Sequence, residues 1–255
     1  MDDSPEALAQ LLSDAEHAIA LTGAGMSTES GIPDFRSAEG MWQRFDPMEV
    51  ASLQTFLRKP ERFWQFHRPR IDMLSAVAPN PAHEAIAELQ RRRVLHSLVT
   101  QNIDRLHSRA GSTDVIEVHG SLSRGECLQC QAMTTLEELV VKADGAADGV
   151  PRCDACGFQL KSGVVMFGES LPAAEISAAY EAAERADVIL VVGSSLQVAP
   201  VSELPSIVRR RGGKLAILTE GDTPYDSVAD VRLRGKAAVQ LVETVAALDA
   251  SQQRN

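Results

Sequence analysis

No apolar run in this 255-residue sequence comes near the roughly 20 consecutive residues that a membrane-spanning helix needs, which excludes a helical membrane protein. Residues 1–17, opening Met1-Asp2-Asp3-Ser4-Pro5, lack the basic start and apolar stretch of a secretory signal, so the expected location is the cytoplasm. Positive charge is in short supply: 25 Lys and Arg against 35 Asp and Glu leave a net charge of −10. Such a surface repels a phosphate backbone, which argues against sequence-specific nucleic-acid binding and fits basic peptide partners better. Repeats and low-complexity segments are absent, and 44% hydrophobic against 24% charged residues excludes a disordered chain. Cysteine is scarce too. The four cysteines fall in two pairs, Cys127/Cys130 and Cys153/Cys156, and in a reducing compartment that pattern favours a metal over disulfides.

What is present reads as alternating helices and strands. Ser4 is placed to cap a helix with Pro5 at its first position, and Leu8, Leu11, Leu12 and Ala15 then share one face. A strand at Ala18–Thr22 runs into a loop of small residues from Gly23 to Arg36. Residues 38–78 hold an irregular and then a helical stretch with Trp42, Phe45, Phe56, Phe63, Trp64 and Phe66, six of the nine Phe and Trp residues, which marks a separate apolar cluster. Asn80 and Pro81 start another helix with Ala82, Ala85, Ile86 and Leu89 inward; strands follow, one ending at Thr100 and one at 115–118. The apolar run 187–192, then Gly193, a helix near 200–211 and a strand at 215–218 make a βαβ unit. This alternation predicts an α/β fold, a Rossmann-like doubly wound parallel sheet whose ligands bind beyond the carboxyl ends of the strands.

Three motifs sit at those ends or beside them. Gly23 and Gly25 fit a dinucleotide loop, in which glycine lets the backbone approach a pyrophosphate, and they fit a simple turn equally well. Thr28 stands where a third glycine belongs, and no second strand ends in an acid about 20 residues later, so a plain Rossmann dehydrogenase is disfavoured. The cysteines read Cys-x-x-Cys, 22 intervening residues, Cys-x-x-Cys, four soft ligands for one tetrahedral structural zinc; a nucleic-acid-reading ribbon is the rival, but Glu137, Glu138 and Asp144 stand against Lys142 in the intervening stretch. His119 follows a β-branched strand and precedes Gly120, so it projects at the ligand crevice, where a side chain titrating near neutrality can serve as general base. Gln101, Asn102 and Asp104 also fit as caps for a following helix, and His107 reads as structural.

The continuation of the first loop, Ser30-Gly31-Ile32-Pro33-Asp34-Phe35-Arg36-Ser37, resembles the sirtuins. So do Gln101-Asn102-Ile103-Asp104-Arg105-Leu106-His107, Glu117-Val118-His119-Gly120, Phe167-Gly168-Glu169 and Gly193-Ser194-Ser195-Leu196, in family order from about residue 18 to 221. The resemblance implies a Rossmann-like NAD-binding domain (1–37, 79–121 and 161–255) carrying a smaller domain made of a helical insertion (38–78) and a zinc-binding module (122–160). It implies an NAD-dependent protein-lysine deacetylase that releases nicotinamide and O-acetyl-ADP-ribose, acting on acetylated proteins or peptides. By the same resemblance His119 deprotonates a ribose hydroxyl, and Gln101 and Asn102 face the nicotinamide ribose, Asn102 with a catalytic part. Ile103 and Asp104 hold the nicotinamide carboxamide. Gly23, Ala24, Gly25, Thr28, Asp34, Phe35 and Arg36 surround the diphosphate and ribose, with Phe35 shielding the reacting centre. Gly193, Ser194, Ser195, Thr219, Glu220 and Ala237 line the adenosine side, and Val165, Met166, Phe167 and Gly168 pair with the acyl-lysine peptide.

Three departures from the family pattern stand out. Leu160-Lys161-Ser162-Gly163 replaces a segment that usually reads Arg-Pro, Thr219 replaces an asparagine, and Gly235-Lys236-Ala237 replaces a Gly-Asp pair. His67 and Arg70 occupy the places of a Tyr-x-x-Arg pair that in desuccinylases and demalonylases of the family holds a distal carboxylate; Pro69 between them argues for a turn there. Desuccinylation, demalonylation and mono-ADP-ribosyl transfer from the same pocket are the alternative activities, and a non-catalytic NAD sensor is disfavoured because it has no need of His119.

Overall fold

A computed structural model describes residues 3–252 apart from 36, 38 and 39, so the expectation for Arg36 lies outside the described residues. The Ser4 hydroxyl accepts from the Ala7 amide at 3.2 Å and starts α1 (Pro5–Ser13), which turns Leu8, Ala9 and Leu12 inward. β1 (Ala18–Thr22) is buried along its whole length, as a central parallel strand must be. Three helices follow, α2 (Pro47–Val50), α3 (Leu53–Arg58) and α4 (Pro60–Ala76), each begun by proline or by a Ser or Asp cap. Pro69 sits inside α4 and does not turn the chain, contrary to the sequence expectation. One lost amide donor within 17 residues is outweighed by burial of Phe63, Trp64, Ile71 and Leu74 on either side of it.

Asn80 caps α5 (Pro81–Arg91) in a capping box closed by His83. Then come β2 (Leu95–Thr100), α6 (Leu106–Arg109), β3 (Val115–Glu117), β4 (Gly120–Cys127), β5 (Met133–Thr135), α7 (Leu136–Gly145) and β6 (Leu160–Val164). The chain finishes with α8 (Ala173–Arg185), β7 (Val188–Val192), α9 (Leu204–Arg210), β8 (Lys214–Leu218), β9 (Val231–Leu233) and α10 (Ala237–Gln252). None of these helices is long and apolar enough to cross a membrane.

Six strands form one parallel sheet in the order β3-β2-β1-β7-β8-β9. One face is covered by α1, α5 and α10, with Leu8, Ile86, Leu89 and Leu241 in its core; the other by α8 and α9, with Ala179, Ala183, Leu204 and Val208. This is the doubly wound α/β fold expected. The winding reverses between β1 and β7, which places the ligand crevice beyond their carboxyl ends.

A smaller body combines α2–α4 with an antiparallel sheet in the order β5-β4-β6. Phe56, Phe63 and Trp64 are its largest buried side chains, each contributing about 1.5–3 kcal/mol by leaving water. The Trp64 indole N–H donates to the Leu160 carbonyl at 3.1 Å, and the Gln159 amide to the Phe56 carbonyl at 3.0 Å, tying helices to sheet. The strands β4 and β6 run from Gly120 and to Val164, so they bridge continuously out of the large sheet's loops into the smaller body.

Candidate active site

At the winding reversal two loops touch backbone to backbone. The Gly23 amide donates to Val192 O at 3.0 Å and the Gly25 amide to Gly193 O at 2.8 Å. Gly193 has φ +62, and a Cβ there would lie 2.2 Å from the Met26 nitrogen; one on Gly25 would lie 2.8 Å from the Gly193 Cα. These glycines are therefore required by the contact between the two loops, in addition to any approach of a phosphate. That explains how Thr28 stands without strain in place of a third glycine: its hydroxyl, exposed, donates back to Gly25 O at 3.1 Å.

The loops open into a cavity of about 1010 Å³ between the sheet and the smaller body. All the described residues expected from sequence at the cofactor and peptide sites line it: Gly23, Ala24, Gly25, Thr28, Asp34, Phe35, Gln101, Asn102, Ile103, Asp104 and His119 on one side, Gly193, Ser194, Ser195, Thr219, Glu220 and Ala237 at one end, and Val165, Met166, Phe167 and Gly168 across from them. Ser27 and Gln197 also line it and were not singled out in the sequence, and Trp42 and Phe66, expected only as part of the apolar cluster of 38–78, line it too.

The loop after β2 is held by a buried polar network. The Asn102 side-chain amide donates to Gly23 O at 3.0 Å and to the Ser27 hydroxyl at 3.2 Å, and Ser27 donates to Asp104 Oδ2 at 2.7 Å. The other Asp104 oxygen accepts from the Leu106 amide at 2.9 Å, so Asp104 both ties down the first amide of α6, whose cap position is Arg105, and forms part of the cavity wall. Beneath it, His107 Nε2 lies 2.9 Å from the Thr22 hydroxyl, which donates to Thr100 at 2.8 Å; His107 is structural in this setting. Burial pushes His107 down to about 3 and His83 down to about 4, so both rings are neutral in the folded protein.

His119 stands just beyond β3, with Nδ1 at 3.1 Å from the Gln101 carbonyl oxygen. A carbonyl can only accept, so Nδ1 carries the proton and Nε2 the lone pair of the neutral ring. The Gln101 side-chain amide meanwhile donates to the Ser194 hydroxyl at 2.7 Å, linking the histidine's support to the Gly193–Ser195 loop. The His119 carbonyl accepts from the Val165 amide at 2.9 Å, so the same residue anchors the opposite wall.

That wall is an extended segment. Phe167 pairs with the smaller body, its amide donating to Ala51 O at 3.0 Å and its carbonyl accepting from Leu53 at 2.9 Å. Aromatic rings cover the cavity between the walls: Trp42 stacks on Phe35 at 5.2 Å and meets Phe167 edge-on at 6.0 Å.

At the far end His67 and Arg70 lie one turn apart on α4. Burial, then the Arg70 charge, push His67 down to about 3, and its Nε2 is buried with no hydrogen-bond partner. Burial holds Arg70 down at about 10, with its guanidinium beside Met41 Sδ and 5.1 Å from the Phe66 ring centroid; it makes no ion pair among the described residues.

The four cysteines converge away from the cavity. Their sulfurs all lie within 4.8 Å of one another, with Cys127–Cys156 at 3.5 Å and Cys130–Cys153 at 3.6 Å. A tetrahedron of thiolates about 2.3 Å from a central zinc has edges of about 3.8 Å, so this donor set fits such an ion with no position left for water.

A family model, that of the Sir2 family, matches residues 23–200. The chain is 44% identical over 246 residues to NAD-dependent protein deacylase 2 of Archaeoglobus fulgidus, covering 96% of each. It is 42% identical over 239 residues to an NAD-dependent protein deacetylase of Sulfolobus acidocaldarius, covering 93% of this chain and 92% of that one. Among solved structures, a mutant Sir2 homologue in complex with ADP-ribose superimposes with a TM-score of 0.92 at 41% identity, covering 100% of this chain and 99% of that one. A Sir2 complex with a p53 peptide and NAD+ superimposes with a TM-score of 0.85 at 35% identity, covering 96% and 98%.

Proposed function

This chain belongs to the Sir2 family of enzymes, and on that premise we propose that it removes acyl groups from protein lysines with NAD as co-substrate, acetyl-lysine being the main substrate. The observation that carries the reading is the placing of His119 between the loop that carries Asn102 and the segment that starts at Val165. NAD, when bound, would supply an anomeric carbon with nicotinamide as leaving group and accept the acyl group, and with one water consumed in the transfer the products are free lysine, nicotinamide and O-acetyl-ADP-ribose.

The chain's own residues do the rest. His119 takes the proton of a ribose hydroxyl at Nε2, while its Nδ1 proton stays on the Gln101 carbonyl. Asn102 and Asp104, fixed by Ser27, orient the ribose and the carboxamide. Phe35 and Trp42 shield the anomeric carbon from premature attack by water, and Val165–Gly168 pairs with the substrate backbone, which gives affinity with little side-chain preference. Cys127, Cys130, Cys153 and Cys156 hold one structural zinc outside the cavity. Residence in the cytoplasm is part of the same proposal, supported by a composition in which every cysteine belongs to this reduced set.

A second reading, preference for acyl groups that end in a carboxylate, is favoured by Arg70, a largely buried cation on the cavity wall with no ion-pair partner among the described residues.

Incubation with an acetylated peptide and NAD, read by mass, tests the function. Equimolar free-lysine peptide, nicotinamide and O-acetyl-ADP-ribose support it. A peptide that gains ADP-ribose makes the protein a transferase, and no product at all makes it an NAD-binding scaffold.

A further inference from the structure

Lys161 is one of the most deeply buried side chains in the protein, 2% exposed, although its type is ordinarily solvated. It lies on β6, and its ammonium stands between two carboxylates, Glu126 Oε1 at 2.6 Å on β4 and Glu169 Oε1 at 3.2 Å in the loop after β6. Burying a charge costs more than a single ion pair returns unless further bonds complete it, so such a group is poor evidence for added stability. Its geometry points elsewhere.

Glu169 closes a turn on the cavity wall. Its second carboxylate oxygen accepts from the Met166 amide at 3.0 Å, and its own amide donates to the Met166 carbonyl at 3.0 Å. Val165 and Phe167 on either side are held by backbone groups, His119 O and the Ala51–Leu53 stretch. Met166 alone is held by a side-chain charge. Lys161 is the only cation within ion-pair distance of Glu169 among the described residues, whereas Glu126 also has Arg124 at 4.0 Å. Without the ammonium, Glu126 and Glu169 would face each other as like charges, and Glu169 would swing to solvent and release the Met166 amide.

We propose that Lys161 is a positioning residue: through Glu169 it sets the Val165–Gly168 segment in the register that receives the acyl-lysine peptide. The inference rests on the reading of that segment as the peptide edge. It acts on peptide binding and not on the cofactor half of the cavity, because no bond of Lys161, Glu126 or Glu169 reaches Gly23–Thr28, Gln101–Asp104 or Gly193–Ser195.

Steady-state kinetics of Lys161→Met, Lys161→Arg and Glu126→Gln with an acetylated peptide and NAD test it. Lys161→Met should raise the peptide KM about tenfold, the size of one lost charge-assisted hydrogen bond, with the NAD KM within about twofold of wild type. Lys161→Arg should recover most of the loss, since a guanidinium can serve both carboxylates. Glu126→Gln, which breaks the pair within the small sheet and leaves Lys161 on Glu169, should keep the peptide KM near wild type; a role confined to holding that sheet together would instead make it resemble Lys161→Met. A Lys161→Met protein with unchanged peptide KM, or with both KM values raised alike, overturns the proposal. Should that variant not fold by circular dichroism, Lys161→Met/Glu126→Gln, which leaves no unpaired carboxylate in the sheet, carries the same expectation, and its failure to fold as well would make Lys161 purely structural. Wild-type protein without turnover of the acetylated peptide would sink the functional reading itself, a result distinct from any of these.

Discussion

His119 and Gln101 are joined by a 3.1 Å contact from the ring nitrogen Nδ1 to the backbone carbonyl oxygen, and that contact selects the tautomer with a basic Nε2. Because a carbonyl has no proton to give, the contact holds for a neutral or a protonated ring, and the ring keeps its direction through a proton cycle.

His119→Ala should therefore lower deacylation by on the order of a hundredfold to ten-thousandfold while NAD binding and the thermal midpoint stay near wild type, since the ring is a half-buried wall group and not a core one. Single-turnover assays beside calorimetric NAD titration check it. A variant keeping more than half of wild-type turnover would remove His119 from the chemistry.

Metal analysis of protein purified without added zinc should find one zinc per chain. Chelation, or Cys127→Ser, should lower the thermal midpoint by several degrees, because Cys127 and Cys153 are buried in the same core as Phe63 and Leu160. Stability untouched by metal removal would end the structural-zinc reading.

Acid should destabilise the fold well above the range where carboxylates titrate. His67, His83 and His107 sit at about 3, 4 and 3 in the folded chain against 6.5 when exposed. Between about pH 6 and 5 the unfolded chain binds nearly three protons that the folded one refuses, so stability is full above pH 6.5 and falls as pH drops toward the folded values. Urea midpoints measured across that window give the proton count, and His107→Asn should reduce it by one. A flat profile would show that these rings are not neutral by burial.

Acyl preference can be tested at Arg70. With acetyl-lysine as the main substrate, acetyl kcat/KM should exceed succinyl kcat/KM on one peptide, and Arg70→Met should change the acetyl value little. A larger succinyl value that collapses in Arg70→Met would give the second reading instead.

Gly193→Ala should cost about 1–3 kcal/mol through overpacking against Met26, plus the strain of φ +62, and weaken NAD binding. Gly212→Ala, with φ +85 but open space around its Cβ, isolates the strain alone and should cost less. Equal losses in urea midpoint would show that the contact between the two loops is not what requires glycine at 193.

The sequence by itself determined the features that local spacing encodes. Continuous apolar runs mark β1 and β7 as buried parallel strands, Ser4 and Asn80 announce their helices, the two Cys-x-x-Cys pairs define one tetrahedral donor set, and the motifs around Gly23, Gln101, His119 and Phe167 name the cavity walls. Only the tertiary structure decided which of these residues touch. Ser27 joins Asn102 and Asp104 from 75 and 77 residues away, Gly193 needs its missing side chain because Met26 packs against it, and Trp42 bridges Phe35 to Phe167. Pro69 reads as a turn yet lies within a helix, and Lys161, which in sequence is only a departure from the family pattern, is sealed between two carboxylates. The physical reason is the same in each case: the outcome depends on strand order and on packing between segments distant in the chain, and no local period or composition carries that information.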